Sequence, residues 1–129
     1  MAEQRAMSAG VKLQLVLANL LEWQTADQFD LVLDCGCMHT IGSGQIAQYK
    51  RQLLRWLAPQ GDFLLFHFGK RHLFDWRPIG PRRRPRKQLA SFFAPELQEK
   101  TYEQQLMTGI PLPIGPTVLG QGFWFKKSE

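Results

Sequence analysis

The sequence predicts an α/β domain, on three observations. Phe29–Asp34 is a short apolar run that ends in an acid, with Gly36 close behind. A strand buried on both faces of a parallel sheet reads this way, with its polar end at the sheet's carboxyl edge. Next comes an amphipathic segment with Ile46, Leu53, Leu54 and Leu57 on one face and Lys50, Arg51 and Arg55 on the other. After Pro59 and Gly61, the stretch Asp62–Phe68 (DFLLFHF) reads as a second buried strand. Strand, helix and strand in this order make a βαβ unit.

The remaining elements follow from local signals. Residues 2–9 read as helical turns stopped by Gly10. Val11–Leu17 (VKLQLVL) alternates apolar and polar, the pattern of a strand with one wetter face. Asn19–Gln28 is a partly polar crossing segment. Gly36–Gly44 is a loop with three glycines, and Ser43 is the candidate cap of the helix after it. Pro59 and Gly61 are expected to end that helix. Residues 69–84 form a long basic loop. Pro85 suits the first turn of a helix whose apolar face is Leu89, Phe92 and Phe93, and Pro95 stops it. Leu97–Met107 reads as a strand and Gly122–Lys127 as the last one. Gly109–Gly115 (GIPLPIG) holds two prolines among its glycines and is irregular.

Composition narrows the class. Apolar residues make up 44% of the 129, enough for one globular domain with a core. No apolar run approaches the ~20 residues of a membrane span, and MAEQRAMSAG does not read as a signal peptide. The two cysteines, Cys35 and Cys37, lie too close for an unstrained disulfide, which points to a reducing, cytoplasmic setting. The net charge of +5 is concentrated in Arg82, Arg83, Arg84, Arg86 and Lys87. That run is a candidate phosphate-binding surface for nucleic acid, weighed against a solvated loop.

The junctions at Asp34-Cys35-Gly36-Cys37 and Leu57-Ala58-Pro59-Gln60-Gly61, with the order of elements around them, resemble class I S-adenosylmethionine-dependent methyltransferases. The resemblance covers almost the whole chain but only the second part of that domain. It implies a single partial domain over residues 1–129: a Rossmann-like sheet without its first two strands, mainly parallel with an antiparallel last strand. The family's strand order is three, two, one, four, five, seven, six. Val11–Leu17 would then lack its neighbour, and Leu31–Leu33 would lack one edge, an aggregation template that needs covering. A homodimer is expected, by exchange of Val11–Leu17 or by another closure, with folding-back of that strand within one chain as the alternative.

The resemblance also implies a site. Asn19 and Leu20 fall where the family contacts adenine, although Asn19 replaces the usual acid. Cys35, Gly36 and Cys37 fall beneath the methyl-donor end. Asp34 and His39 are the substrate-side, catalytic candidates. Asp34 is equally a loop-capping acceptor, and His39 equally an exposed loop residue. The glycine-rich cofactor loop is not found: Gly42-Ser-Gly44 and Gly120-Gln-Gly122 flank the wrong strands. Cys35, Cys37 and His39, with His67 or His72, lack the spacing of a zinc site, and no metal is expected. His67 reads as a core or pocket-wall histidine. Three functions stay open: a methyltransferase for a small molecule, inactive as an isolated chain; a non-catalytic oligomeric remnant; and a basic nucleic-acid-binding module.

Overall fold

A computed structural model describes residues 1–70, 82–108 and 117–128. Its elements are α1 (Ala2–Ala9), β1 (Phe29–Cys35), a 3-10 turn (Met38–Thr40), α2 (Ile46–Trp56), β2 (Leu57–Gly69), α3 (Arg86–Phe93), β3 (Leu97–Thr108) and β4 (Thr117–Lys127). The four strands form one sheet in the order β1-β2-β4-β3. β1 and β2 pair in parallel, and β4 runs antiparallel to both β2 and β3. Three strands therefore point one way and the last runs against them, as expected.

One face of the sheet is packed. Phe63 and Leu65 of β2 and Phe123 and Phe125 of β4 alternate onto that face and meet Leu53 of α2 and Leu89 and Phe93 of α3. Aromatic rings dominate the contact: Phe93 lies 5.6 Å from Phe63 and 5.0 Å from Phe125, centroid to centroid. Lys127 ties β4 to the end of α2 by donating to the carbonyls of Leu54 and Leu57 at 2.8 Å each. Those carbonyls are otherwise orphaned where a helix stops.

Several expectations need correction. Val11–Leu17 belongs to no strand, and every residue in it is exposed. An alternating pattern cannot make a strand without a ladder partner, and the crossing segment is held elsewhere: Gln52 of α2 donates to the carbonyls of Leu20 (3.1 Å) and Trp23 (2.6 Å). The folded-back arrangement is therefore not formed. β1 is buried on one face only. Leu31 is 56% and Leu33 67% exposed, because both packed helices lie on the opposite side. Ser43 does not cap α2; Gln45 occupies that position without a side-chain bond. The helix ends at Trp56, before Pro59, and its buried face is Tyr49, Gln52, Leu53 and Trp56. Leu57 already belongs to β2, opposite Phe29, and residues 58–61 bulge outward before Asp62 resumes the ladder opposite Leu31. Gln60 (φ 62°) turns the chain there. At Gly61 a Cβ would meet the Ala58 carbonyl oxygen at 2.8 Å, so only glycine closes the bulge. β4 begins at Thr117, five residues before the expected start. The expectation for Gly109–Gly115 and most of the basic loop lies outside the described residues.

Candidate functional site

The site grows from the carboxyl end of β1. Asp34 is buried there, with both oxygens turned into the loop that follows. Oδ1 accepts the Cys37 N–H at 2.7 Å and Oδ2 accepts the Met38 N–H at 3.0 Å. Tyr49 of α2 donates its hydroxyl to the same Oδ2 in a short bond. Burial, and then the Asp34 carboxylate, push the Tyr49 phenol well above its ordinary pKa, so it stays a donor. Asp34 is therefore a loop-capping acceptor, and its oxygens are spent inside the chain. The chain reverses at Gly36, with φ 105°, a backbone region that side chains rarely adopt. Met38 then fills the core and His39 is buried behind it.

His39 is not the exposed loop histidine that was one expectation. Its ring stacks on Phe68 at 4.6 Å and meets His67 edge-on at 5.8 Å. Its Nδ1 is buried with no hydrogen-bond partner. Burial is the main reason its pKa falls; Arg84 lowers it further while Asp34 opposes. His67 is fully buried, as its apolar strand implied. Its Nδ1 lies 2.7 Å from the Phe68 carbonyl oxygen, and Arg84 reaches its Nε2 at 2.9 Å. A guanidinium only donates, so Nε2 is the acceptor and the ring is neutral. Its pKa, lowered to about 4 chiefly by burial, agrees.

Arg84 overturns the view of the basic run as one solvated or phosphate-facing surface. It is 3% exposed. Besides His67, it donates to the carbonyls of Ile41 (2.9 Å) and Met38 (3.4 Å), so it clamps the loop after β1 onto the end of β2. Arg86 pairs with Glu99 and lies over the Tyr102 ring. The run is split between the interior and the surface because its backbone passes the sheet end: Arg82 N–H bonds the His39 carbonyl and Arg84 N–H the Phe68 carbonyl.

The predicted site residues are joined through one helix. Asp34, Gly36, Cys37 and His39 form a single loop, with Tyr49 beneath it. Leu20, next to Asn19, is tied to α2 one turn further on, through Gln52. Asn19 is exposed, and its Oδ1 accepts the Leu21 N–H at 3.0 Å. Leu20 is half-buried against the core. Cys35 and Cys37 are exposed free thiols; partial desolvation of the Cys37 sulfur, and then the Asp34 carboxylate beside it, raise its pKa. Tyr49 and Gln52 are residues that sequence reasoning missed, and Arg84 was read only as part of the basic run. Tyr49-Gln52-Leu53-Trp56 is an i, i+3, i+4, i+7 stripe, so the first two were discoverable from periodicity. Arg84 carries no such signal. Among the described residues, no three of His, Cys, Asp or Glu converge as a metal site, and no helix is long and apolar enough to cross a membrane.

No family model matches the chain, and no curated protein matches it in sequence. Solved structures do match. One, from work on the conversion of a disulfide bond into a thioacetal group during echinomycin biosynthesis, is 20% identical, with a TM-score of 0.72 over 98% of this chain and 61% of that one. Another is the Burkholderia thailandensis 1,6-didemethyltoxoflavin-N1-methyltransferase, solved with 1,6-didemethyltoxoflavin and S-adenosylhomocysteine. It is 19% identical, with a TM-score of 0.70 over 99% of this chain and 56% of that one. A SAM-dependent methyltransferase of Methanosarcina mazei is 13% identical, with a TM-score of 0.72 over 98% of this chain and 76% of that one. The chain thus spans less than two thirds of the length of each of these first two structures. Its four strands, in the order β1-β2-β4-β3 with β4 reversed, have a class I methyltransferase-like fold.

Proposed function

We propose that this chain forms the acceptor side of a small-molecule methyltransferase site, completed by a cofactor-binding segment outside these residues. The observation that carries the proposal is the Asp34-capped turn at the carboxyl end of β1, with the orphaned His39 Nδ1 beside it. In open α/β sheets ligands bind outside the carboxyl ends of the strands. A buried polar atom without a partner suits a ligand atom there. The residues fit the cofactor in part. The turn at Gly36 carries no side chain, Cys35 and Cys37 flank it, and Asn19 Oδ1 keeps one lone pair for an amine. Leu20 supplies apolar contact. The glycine loop and the ribose-binding acid have no counterpart among these residues. S-adenosylmethionine, when bound, supplies an electrophilic methyl group. Neutral His39 receives the proton leaving the acceptor at Nδ1, and Asp34 holds the loop that presents it. In the isolated chain the free edge of β1, with Leu31 and Leu33 beside it, is closed by a second copy, and in the completed site the cofactor-binding segment takes that place.

The test is an NMR titration of the chain with S-adenosylhomocysteine. Weak, millimolar binding is expected, with amide shifts at Leu20 and at Cys35–His39. Shifts confined to other regions would sink the site. A dissociation constant in the micromolar range or tighter would show that no further segment is needed.

A further inference from the structure

A second cavity lies at the same end of the sheet, where β2 finishes and α3 begins. It encloses about 440 Å³ and is lined in part by Lys70, Arg86, Tyr102, Gln104 and Gln121. That volume accommodates a small organic molecule rather than an isolated ion. Part of its polar wall is already used. Tyr102 donates its one proton to Gln121 Oε1 at 2.6 Å, while Gln104 Oε1 lies 3.2 Å from the same hydroxyl oxygen. Gln121 Nε2 is spent on the Arg84 carbonyl at 2.8 Å. Three donors remain. The Lys70 ammonium has no hydrogen-bond or ion-pair partner among the described residues. Arg86 uses Nε and one terminal nitrogen on Glu99, which leaves its other terminal nitrogen. Gln104 keeps its Nε2. No acid lines the cavity. A wall with two cationic donors, a free amide N–H and no carboxylate complements an anionic ligand group.

We infer that this cavity binds the anionic group, carboxylate or phosphate, of a small molecule, with Lys70 and Arg86 as its charge partners and Gln104 as a third donor. The site is separate from the loop after β1, and the Gln121–Arg84–His67 chain of hydrogen bonds connects the two. Nothing in the inference requires a methyl donor, so it stands or falls apart from the function proposed above.

The test is an NMR titration of the whole chain with sodium phosphate and, separately, sodium benzoate, each against sodium chloride at equal ionic strength. Saturable shifts of the Gln104 side-chain amide and of the Lys70 and Arg86 backbone amides are expected with at least one of the two probes. Phosphate alone assigns a phosphate ester, benzoate alone a carboxylate. Lys70→Gln should weaken binding about tenfold, the loss of one charge-assisted bond. Lys70 bonds to no described residue, so this variant keeps the fold, whereas Arg86→Gln also breaks the Glu99 pair. Shifts reproduced by chloride, an unchanged constant in Lys70→Gln, or no shift with either anion would overturn the inference.

Discussion

At the scale of the residue, buried polar groups organise the end of the sheet. Asp34 receives two backbone N–H groups and the Tyr49 hydroxyl. Asp34→Ala leaves those donors buried and unmet, so the variant should lose about 3 kcal/mol or more of stability in urea unfolding. A variant that melts like wild type yet binds ligand poorly would make Asp34 a site residue first. His67 gives the protein a defined pH response. Its folded pKa is about 4, below its ordinary value of 6.5. Between those values the unfolded chain holds the extra proton, so stability is full above pH 6.5 and falls as pH drops toward 4. The loss should reach about 3 kcal/mol, the energy of that shift. Urea midpoints that stay equal at pH 7 and pH 4.5 would contradict a neutral, Arg84-bonded His67.

At the scale of the element, α2 does most of the joining. Its stripe Tyr49-Gln52-Leu53-Trp56 faces inward and carries both polar anchors of the candidate site. Leu53 is fully buried in the packed core, whereas Leu54 is only half-buried at its rim. Leu53→Ala should therefore cost about 2–5 kcal/mol and Leu54→Ala about 1 kcal/mol or less. Equal losses in denaturant melts would mean that α2 is rotated from the face described. Expectation here placed Leu54 and Leu57 with Leu53. Hydrophobicity alone favours that choice, because it discounts a glutamine. Gln52 faces inward because the Leu20 and Trp23 carbonyls need a donor, and no local pattern records that need.

At the scale of the whole molecule, one face of the sheet is packed and the other is open. Leu31, Leu33, Leu64 and Trp124 are exposed on it, and among the described residues β1 has a strand neighbour on one side only. Apolar area beside unpaired backbone groups favours association. Light scattering at micromolar concentration should read a dimer, and Leu33→Lys should shift it toward monomer without lowering the denaturant midpoint of the monomer. A wild-type chain that stays monomeric with a cooperative melt would remove the second copy from the proposed function.

The reversed last strand is expected only from the family resemblance. By itself the sequence determined the strand–helix–strand unit from Phe29 to Phe68, the helix after Pro85, and the place of Asp34, Gly36 and His39 at one strand end. Those features are local: an apolar run, a period, a glycine where φ turns positive. Only the tertiary structure decided that Val11–Leu17 joins no strand of the described sheet, that Leu31 and Leu33 face outward, and that Arg84 lies buried within a basic run. Strand formation and burial are properties of neighbours, so a chain segment carries the pattern without carrying the partner. Arg84 points inward because the loop after β1 exposes the Met38 and Ile41 carbonyls to it, across more than 40 residues of intervening sequence.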